Sequence, residues 1–427
     1  MLKINNLRCF VGPVLGVRLG RMALMGLALA QACFLFCGCG DGDAPRGERG
    51  RSEVPQCADS VEFGKMEYSE MLRLGESCGQ GIAEVRSVIG RDTLVQRFAL
   101  VDDSSLAERR LDLGQVQRGR AWKGATVLHV PVRRVVVLSS AQIGYMLRLG
   151  VEGRIAGVGD GKYLVDSALY AKVASGEVAT VGNGHDLILE KVLSLKPNLV
   201  MTFATGGGYD DYERLQALGI PMMLSSEWQE VSPLAKFEWI KLFGMLFGKQ
   251  ALADSIFKQT NEEYLSHLVP RTSSLEPPRV LVGMSYGGVW YAPGGRSYTA
   301  QLIKDAGGCY LWAGDTTREM RLSLEEVYAI ADSADVWINP GAYATPDEIL
   351  AAEPRVKEFK AFREGRVFQN DGIRGAGGGN DFYESAVVHP VELLVNVIGN
   401  MHPDSMSPKR PDLEKHPYEW YRNIFKF

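Results

Sequence analysis

Apolar runs and amphipathic helical patterns alternate along two stretches of the chain. In the first stretch, residues 134–140 (RVVVLSS) and 198–203 (NLVMTF) are the near-continuous apolar runs expected of buried parallel strands. Helical patterns occupy residues 141–150 and 186–197. The alternation restarts with PRVLVGMSY at residues 278–286. Because repeated strand–helix units of this length form parallel sheets with right-handed crossovers, we predict an α/β fold.

The segment between the two stretches predicts two consecutive helices. Ser232-Pro233 supplies a capping hydroxyl followed by proline at the first helical position. Gly248 marks a break, and a second helix over residues 249–268 stops before Pro270. At 1.5 Å per residue this helix spans about 30 Å, roughly the diameter of a small domain. We interpret it as a rigid connection between two lobes with central parallel sheets, and we expect the preceding helix, residues 232–247, to pack on the first lobe alone. Two ordinary amphipathic helices within one domain are the alternative.

The patterns also divide the chain into segments. Residues 61–125 carry the weakest signal, although 94–102 and 125–132 alternate enough to predict strands of an antiparallel attachment to the first lobe. The predicted segments are a signal peptide (1–38), a linker (39–60), an N-terminal lobe with its attachment (61–232), a packing and interlobe helix pair (233–270) and a C-terminal lobe (271–427).

Composition narrows the class of protein. A length of 427 residues suggests two or three domains, and 46% hydrophobic with 23% charged residues is ordinary for a globular protein. The net charge is −4 and no basic stripe is visible, which argues against nucleic-acid binding.

The N-terminus is predicted to be an export signal. After a basic leader, residues 22–37 (MALMGLALAQACFLFC) are uncharged but short for a membrane-spanning helix. The FCGC sequence resembles a bacterial lipoprotein signal, which implies that Cys39 becomes the lipidated first residue. The preceding residues depart from the usual pattern, so Cys33 or Cys37 is an alternative acceptor, and an uncleaved anchor is another. Each alternative places the bulk of the chain outside the cytoplasm.

Three further cysteines follow Cys39 in the mature segment. In an oxidising compartment, Cys57 and Cys78 could pair across a loop of about 20 residues, worth roughly 3 kcal/mol in the chain-entropy model. The sequence leaves this pairing open. Cys309, within AGGCY, is expected to be a buried small hydrophobic residue.

Several blocks resemble one family in their order and spacing. These blocks are PVRRVVVLSS (131–140), ILEKVLSLKPNLVMT (188–202), LQALGIPMM (215–223), SLEEVYAIADSADVWI (323–338) and HPVELLVNVIGNMHPD (389–404). Over residues 130–427 the chain resembles the extracytoplasmic solute-binding proteins of ABC importers for iron–siderophores, haem and cobalamin. The resemblance implies a helical-backbone fold, in which one helix joins two α/β lobes, and a monomer without cofactor or enzymatic activity. It also implies a periplasmic or cell-surface lipoprotein that delivers its ligand to an inner-membrane permease.

The resemblance assigns a docking role to one glutamate on each lobe. Glu190 and Glu325 occupy the matching positions, and Glu326 is the alternative to Glu325. In the family these carboxylates meet arginines of the permease. The alternative is a local one, since carboxylates in the first turn of a helix also interact favourably with the helix dipole.

The ligand is expected between the lobes, because open α/β sheets bind ligands at the carboxyl ends of their strands. Aromatic and arginine side chains suit a large, flat and partly anionic ligand through stacking and charge pairing. Trp290 and Arg296, within a Gly-rich loop predicted at residues 287–298, are the central prediction, and His185 could contact a metal chelate or haem axially. The predicted ligand-binding residues are Ser140, Lys162, Tyr163, His185, Tyr209, Trp228, Tyr286, Trp290, Tyr291, Arg296, Tyr298, Arg321 and Arg374.

The sequence contains no clear motif for nucleotide binding, nucleophilic catalysis or metal binding. The G-x-G-x-G of residues 157–161 is not the dinucleotide fingerprint, and neither a P-loop nor a nucleophile elbow is present. The six histidines form no recognised metal-binding pattern, so we expect neither a protein-held metal nor catalysis. We therefore predict capture of a metal chelate, with an iron–siderophore first and cobalamin or haem next. A chelatase-like enzyme on the same scaffold and a surface receptor acting without a permease are the remaining alternatives.

Overall fold

The computed structural model describes residues 61–77, 79–104, 122–207, 210–269, 276–314, 316, 319–403 and 418–426. The first structure in this part of the chain is a five-stranded sheet. Its strands lie side by side in chain order: β1 (Glu62–Phe63), β2 (Leu72–Ser77), β3 (Gln80–Ile89), β4 (Asp92–Asp102) and β5 (Thr126–Val130). β1 to β4 pair antiparallel, whereas β4 and β5 are parallel. The antiparallel arrangement predicted for 94–102 and 125–132 is therefore wrong for this pair. A parallel pair needs a long connection, and 23 residues separate the two strands in the sequence.

The first lobe is built on a fully parallel sheet, in the order β10-β9-β6-β7-β8. Four of its strands are buried along their whole length, because helices cover the sheet. Its elements are β6 (Val135–Val137), α1 (Ser140–Arg148), β7 (Ile155–Val158), α2 (Ser167–Ala174), β8 (Ala179–Thr180), α3 (Leu189–Ser194), β9 (Leu199–Thr202), α4 (Tyr212–Gln216) and β10 (Met222–Leu224).

Three helices lead from the first lobe to the second: α5 (Pro233–Phe237), α6 (Ile240–Phe247) and α7 (Gln250–His267). The Ser232 side chain accepts the backbone N–H of Ala235, which is the predicted N-cap. Gly248 ends α6 with φ 68°, a left-handed conformation that glycine adopts without the steric cost of a side chain. The predicted break at Gly248 is therefore present.

α7 contributes to the hydrophobic cores of both lobes. Its residue Phe257 packs in the core of the first lobe, and Tyr264 packs in that of the second. Residues 232–247 were expected to pack on the first lobe alone, which is wrong for Leu234. Leu234 belongs to the second-lobe core, whereas Phe237, one turn later, belongs to the first. α5 thus lies at the junction, so neighbouring positions contact different lobes.

The second lobe combines a parallel sheet with a small antiparallel one. The larger sheet has the order β14-β11-β16-β17-β18, parallel except for its last strand, and the smaller has the order β12-β13-β15. The elements are β11 (Arg279–Val282), β12 (Met284–Tyr286), β13 (Val289–Ala292), α8 (Tyr298–Asp305), β14 (Cys309–Tyr310), β15 (Met320–Ser323), α9 (Leu324–Ala331), β16 (Val336–Ile338), α10 (Pro346–Ala352), α11 (Lys360–Arg363), β17 (Val367–Gln369), α12 (Pro390–Met401) and β18 (Arg422–Asn423).

Two buried glutamates fasten the N-terminal sheet to the connecting helices. Glu238 is fully buried and accepts the backbone N–H groups of residues 67–69, each at 2.9 Å. Glu230 accepts those of residues 70–71 at 3.1 and 3.2 Å and the Trp239 indole N–H at 2.9 Å. Burial raises the pKa of Glu230 despite these hydrogen bonds. Together the two buried carboxylates accept five partly buried backbone N–H groups of residues 67–71.

Cys309 is disulfide-bonded and only partly buried, so its expected role as a buried hydrophobic residue is wrong. A side chain in a short strand at the sheet edge remains accessible enough to form such a bond. Cys57, Cys78, the signal peptide, the linker and Cys39 lie outside the described residues. Within the described ranges, none of the helices combines the length and the apolar character needed to cross a bilayer.

Candidate functional site

A cavity of about 610 Å³ lies between the carboxyl ends of the first-lobe strands and a loop of the second lobe. Its size falls within the range typical of small-molecule sites. Residues that follow each of the five first-lobe strands line its wall, as the rule for open α/β sheets predicts. We call this cavity the cleft; residues lining it include Ser139, Ser140, Ile143, Asp160, Tyr163, Asn183, Phe203, Thr205, Glu227, Trp228, Lys236, Arg374, Asn380 and Tyr383.

The cleft wall is fixed by buried polar side chains. Gln142 is fully buried, accepts the N–H of Leu138 at 3.2 Å and donates to the Thr202 carbonyl at 3.2 Å. It therefore ties the ends of β6 and β9 together. A Cβ on Gly159 would lie 1.9 Å from the Asn183 amide oxygen, so this glycine is required by close packing. This packing accounts for a glycine of the G-x-G-x-G motif without a bound phosphate.

The N-terminal sheet supports the segment that carries Trp228. The Gln229 amide exchanges two hydrogen bonds, both 2.8 Å long, with the backbone of Val88 in β3. The hydroxyls of Ser87 and Ser226 lie 2.5 Å apart. The β3–β4 hairpin thus holds one wall of the cleft in place.

Four aromatic side chains are exposed at the cleft. Tyr163, Phe203, Trp228 and Tyr383 are each between 41% and 56% exposed and all line the cavity. Among the described residues they are four of the six aromatic side chains that are at least 36% exposed. Concentrating exposed rings in one concave site favours a partner that stacks on them. The arrangement is suited to binding a ligand with flat unsaturated groups.

Two cationic side chains near the cleft are already paired. Lys162 contacts Asp160 at 2.8 Å and lies over the Tyr163 ring at 4.8 Å. Burial favours the neutral form of Asp160, but hydrogen bonds from Lys162 outweigh it and lower the pKa of that carboxyl. Arg374 contacts Asp371 at 3.0 Å and donates to the Gly378 carbonyl at 3.2 Å. Neither cation is therefore entirely available to a ligand.

A third cationic side chain at the cleft, Lys236, feels the negative charge of Glu227 without forming a close ion pair with it. Glu227 is 2% exposed and accepts a hydrogen bond of 2.5 Å from the Ser225 hydroxyl. Burial lowers the pKa of Lys236, and the negative charge of Glu227 partly offsets that effect. The Lys236 ammonium lies 5.4 Å from the ring centroid of Tyr298 in the second lobe.

The structure brings only some of the predicted ligand-binding residues to the cleft. Ser140, Tyr163, Trp228 and Arg374 line it, and Lys162 is adjacent through Asp160. The predicted residues that are absent from its lining are His185, Tyr286, Trp290, Tyr291, Arg296, Tyr298 and Arg321. Tyr209 lies outside the described residues.

Trp290, the central prediction, is a core residue. It is fully buried, its indole N–H donates to the Val282 carbonyl at 3.0 Å, and its ring packs 5.7 Å from that of Trp337. The Gly287-Gly288 pair connects β12 to β13, so the expected loop is a hairpin whose inward positions are buried. The predicted ligand contact of Trp290 is therefore wrong.

The other predicted second-lobe residues lie around this hairpin or on α8. Tyr291 packs beneath Arg321, 5.7 Å from guanidinium to ring centroid. Tyr286 is 78% exposed at the hairpin end, and Arg296 is exposed in the following loop. Tyr298 differs from the others, because its ring contacts the Lys236 ammonium beside the cleft.

Phe203, Lys236 and Tyr383 are among the cleft residues that were not predicted from the sequence. Phe203 directly follows β9, so the rule that ligands bind beyond strand ends could have found it. Lys236 sits within an apolar helical pattern, and Tyr383 within a Gly-rich loop. Neither position carries a local signal for the cleft.

The two predicted docking glutamates are exposed in the first turns of their helices, Glu190 on α3 and Glu325 on α9. Glu326 instead forms a capping box with Ser323, whose backbone N–H it accepts at 2.8 Å. Because Glu326 is engaged by its own helix terminus, Glu325 is the more available of the two carboxylates.

No group of three or more histidine, cysteine, aspartate or glutamate side chains in the described ranges is arranged to hold a metal ion.

A cleft between two α/β lobes, with exposed rings and fixed walls, defines a solute-binding protein of the two-lobed class. The chain belongs to the periplasmic binding protein family, whose profile matches residues 135–372. This match confirms the resemblance found in the sequence. The N-terminal sheet precedes the matched region.

Individual relatives are distant. The chain is 25% identical over 296 residues to an uncharacterized lipoprotein of Methanocaldococcus jannaschii, covering 66% of this chain and 68% of the relative. It is 22% identical over 208 residues to a vitamin B12-binding protein of Vibrio parahaemolyticus, covering 48% of this chain and 70% of that one. Among solved structures, a nickel–histidine complex of CeuE from Helicobacter pylori superposes with a TM-score of 0.51 at 14% identity, covering 81% and 96% of the two chains. That likeness concerns the fold.

Proposed function

We propose that the protein is the solute-binding component of an ABC importer, which captures an iron–siderophore-type metal chelate in the cleft and delivers it to a permease. The observation that carries the proposal is the set of four exposed rings that line the cleft, with cationic side chains beside them. Rings stack on the flat groups of a chelate, and cations pair with its oxygen donors. The protein performs no chemistry on the ligand.

Cobalamin or haem is the second candidate ligand for the same site. The relative from Vibrio parahaemolyticus is named a vitamin B12-binding protein, which supports cobalamin. A chelatase-like enzyme is the weaker alternative, since no side chain of the cleft has been assigned an acid, base or nucleophilic role.

The proposal places the protein outside the cytoplasm as a monomer anchored by lipid at Cys39. Relatives named lipoproteins support this location. The proposal keeps the predicted segments, with an N-terminal lobe at 61–232, the connecting helices at 233–270 and a C-terminal lobe at 271–427.

Binding can be tested by tryptophan fluorescence titration of the mature chain with ferric tricatecholate, a ferric trihydroxamate, haemin and cyanocobalamin. We expect saturable binding of at least one compound. The double variant Tyr163→Ala/Trp228→Ala should weaken it by about tenfold or more, equivalent to about 1.4 kcal/mol. Tyr286→Ala is the matched control, because it removes an exposed ring outside the cleft. Equal affinity in all three proteins would refute the assigned site.

Delivery can be tested with charge reversals at the docking glutamates. We expect Glu190→Lys/Glu325→Lys to abolish chelate uptake by cells while leaving the affinity of the purified protein unchanged. The control is Asp254→Lys/Glu262→Lys, which reverses two exposed carboxylates on α7. Normal uptake by the docking variant would contradict the proposed role.

A further inference from the structure

Lys236 occupies a defined position at the junction of the two lobes. It lies in the last turn of α5, whose start is fixed by the Ser232 cap. Its own carbonyl accepts a 2.5 Å hydrogen bond from the hydroxyl of Tyr145, which is fully buried. The backbone that carries this ammonium is therefore held from both sides.

The charges of the cleft are unevenly matched. Lys162 is paired with Asp160, and Arg374 with Asp371. Within the described residues, Lys236 makes no ion pair at 4.0 Å or closer, although it lines the cleft. Glu227 acts on it from a longer distance, while its own carboxylate accepts the Ser225 hydroxyl.

The surroundings of Lys236 withdraw water, and the negative charge of Glu227 offsets only part of that loss. Burial opposes the charged form, and the Tyr298 ring at 5.4 Å replaces only part of the lost hydration. An anionic oxygen brought in by a ligand would pair with an ammonium that is already desolvated. Such a charge-assisted hydrogen bond is stronger here than at the surface, where water competes.

We propose that Lys236 selects chelates that present an anionic oxygen, such as a carboxylate or catecholate, to the junction between the lobes. This inference rests on the proposed function and names its ligand class. Corrinoids without net charge and cationic hydroxamate chelates gain less from the ammonium and are disfavoured. Specificity is the difference between the affinities of a site for two ligands, so one partly buried cation that strengthens binding of anionic chelates alone is enough to create a preference.

The test compares wild type with Lys236→Met, which keeps the length of the side chain without its charge, and Lys236→Arg, which keeps the charge. Lys258→Met is the control, because Lys258 is exposed on α7 away from the cleft. Probes are ferric dicitrate and ferric tricatecholate as anions, cyanocobalamin as the neutral compound and a cationic ferric trihydroxamate. Circular dichroism and thermal unfolding establish that each variant is folded, with Lys236→Gln as a substitute if the methionine variant is not.

We expect Lys236→Met to weaken anionic chelates at least tenfold, with Lys236→Arg within about threefold of wild type and the control unchanged. Equal binding of an anionic chelate by Lys236→Met and wild type would overturn the inference while leaving the proposed function intact. Binding of only neutral or cationic chelates by wild type would overturn it in the same way. Binding of no chelate at all would refute the proposed function and this inference together.

Discussion

Glu384 links the two lobes beside the cleft, and its titration should be visible in the stability of the protein. It belongs to the second-lobe loop next to Tyr383, and it is 1% exposed. Its carboxylate accepts the backbone N–H groups of Asp166 at 2.8 Å and Val165 at 3.1 Å in the first lobe. Burial raises the pKa of Glu384 from 4.5 to about 7; the two N–H donors lower it, and the charges of Asp381 and Asp166 raise it further.

The sign of the pH dependence follows from that shift. The folded state holds the proton more tightly than the unfolded state, so the stabilising contribution is fully present below about pH 4.5. It is lost as the pH rises through about 7, where the carboxylate ionises in its buried site. At about 1.4 kcal/mol per pKa unit, the loss amounts to about 3 kcal/mol.

The substitution Glu384→Gln removes the titration and keeps the shape of the side chain. At pH 5 Glu384 is protonated, and its hydroxyl oxygen is a weak acceptor that the amide nitrogen of glutamine does not replace, so we expect a cost of no more than about 1 kcal/mol. At pH 8 the variant should be the more stable protein, because no buried charge forms. Urea unfolding at pH 5, 6, 7 and 8 measures this crossover. Asp305, whose pKa burial raises to about 6, titrates in both proteins and cancels in the difference. Parallel pH profiles for the two proteins would refute the reasoning.

Two further substitutions test the packing. Trp290→Ala should reduce the free energy of unfolding by about 3–5 kcal/mol, because a fully buried indole leaves a cavity and an unpaired Val282 carbonyl; a loss below about 1 kcal/mol in urea unfolding would contradict its core position. Glu238→Ala should cost about 3 kcal/mol, since three partly buried backbone donors lose their charged acceptor. Limited proteolysis should then cleave faster near residues 67–69, and unchanged cleavage would show that Glu238 contributes little to holding this segment in place.

The α/β core could be predicted from the sequence because its signals are local. Val135–Val137 and Leu199–Thr202 are buried at every position, and such strands appear as continuous apolar runs. Ser232 and Gly248 mark helix ends through properties of their own side chains and backbones. The N-terminal sheet gave a weaker signal, because several residues of β4 remain exposed.

The cleft was only half predictable, because its lining depends on which faces the tertiary structure turns inward. Ser140, Tyr163 and Trp228 follow strand ends, so the topology of the sheet points to them. Trp290 looked like an exposed loop residue until the Gly-Gly turn placed it in a strand facing the core. Lys236 appeared to be the polar side of a packing helix, and only the position of α5 between the lobes brings it to the cleft.

The most direct test of the central claim is native mass spectrometry of the mature protein purified from its own cells, combined with its visible absorbance spectrum. The account predicts a protein carrying one equivalent of a metal chelate, lost on collisional activation, with an absorbance band belonging to that chelate. The Tyr163→Ala/Trp228→Ala variant, prepared in the same way, should be depleted of it. Equal occupancy of that variant, or catalytic conversion of the bound compound by the wild-type protein, would contradict the assignment of a chelate-binding cleft.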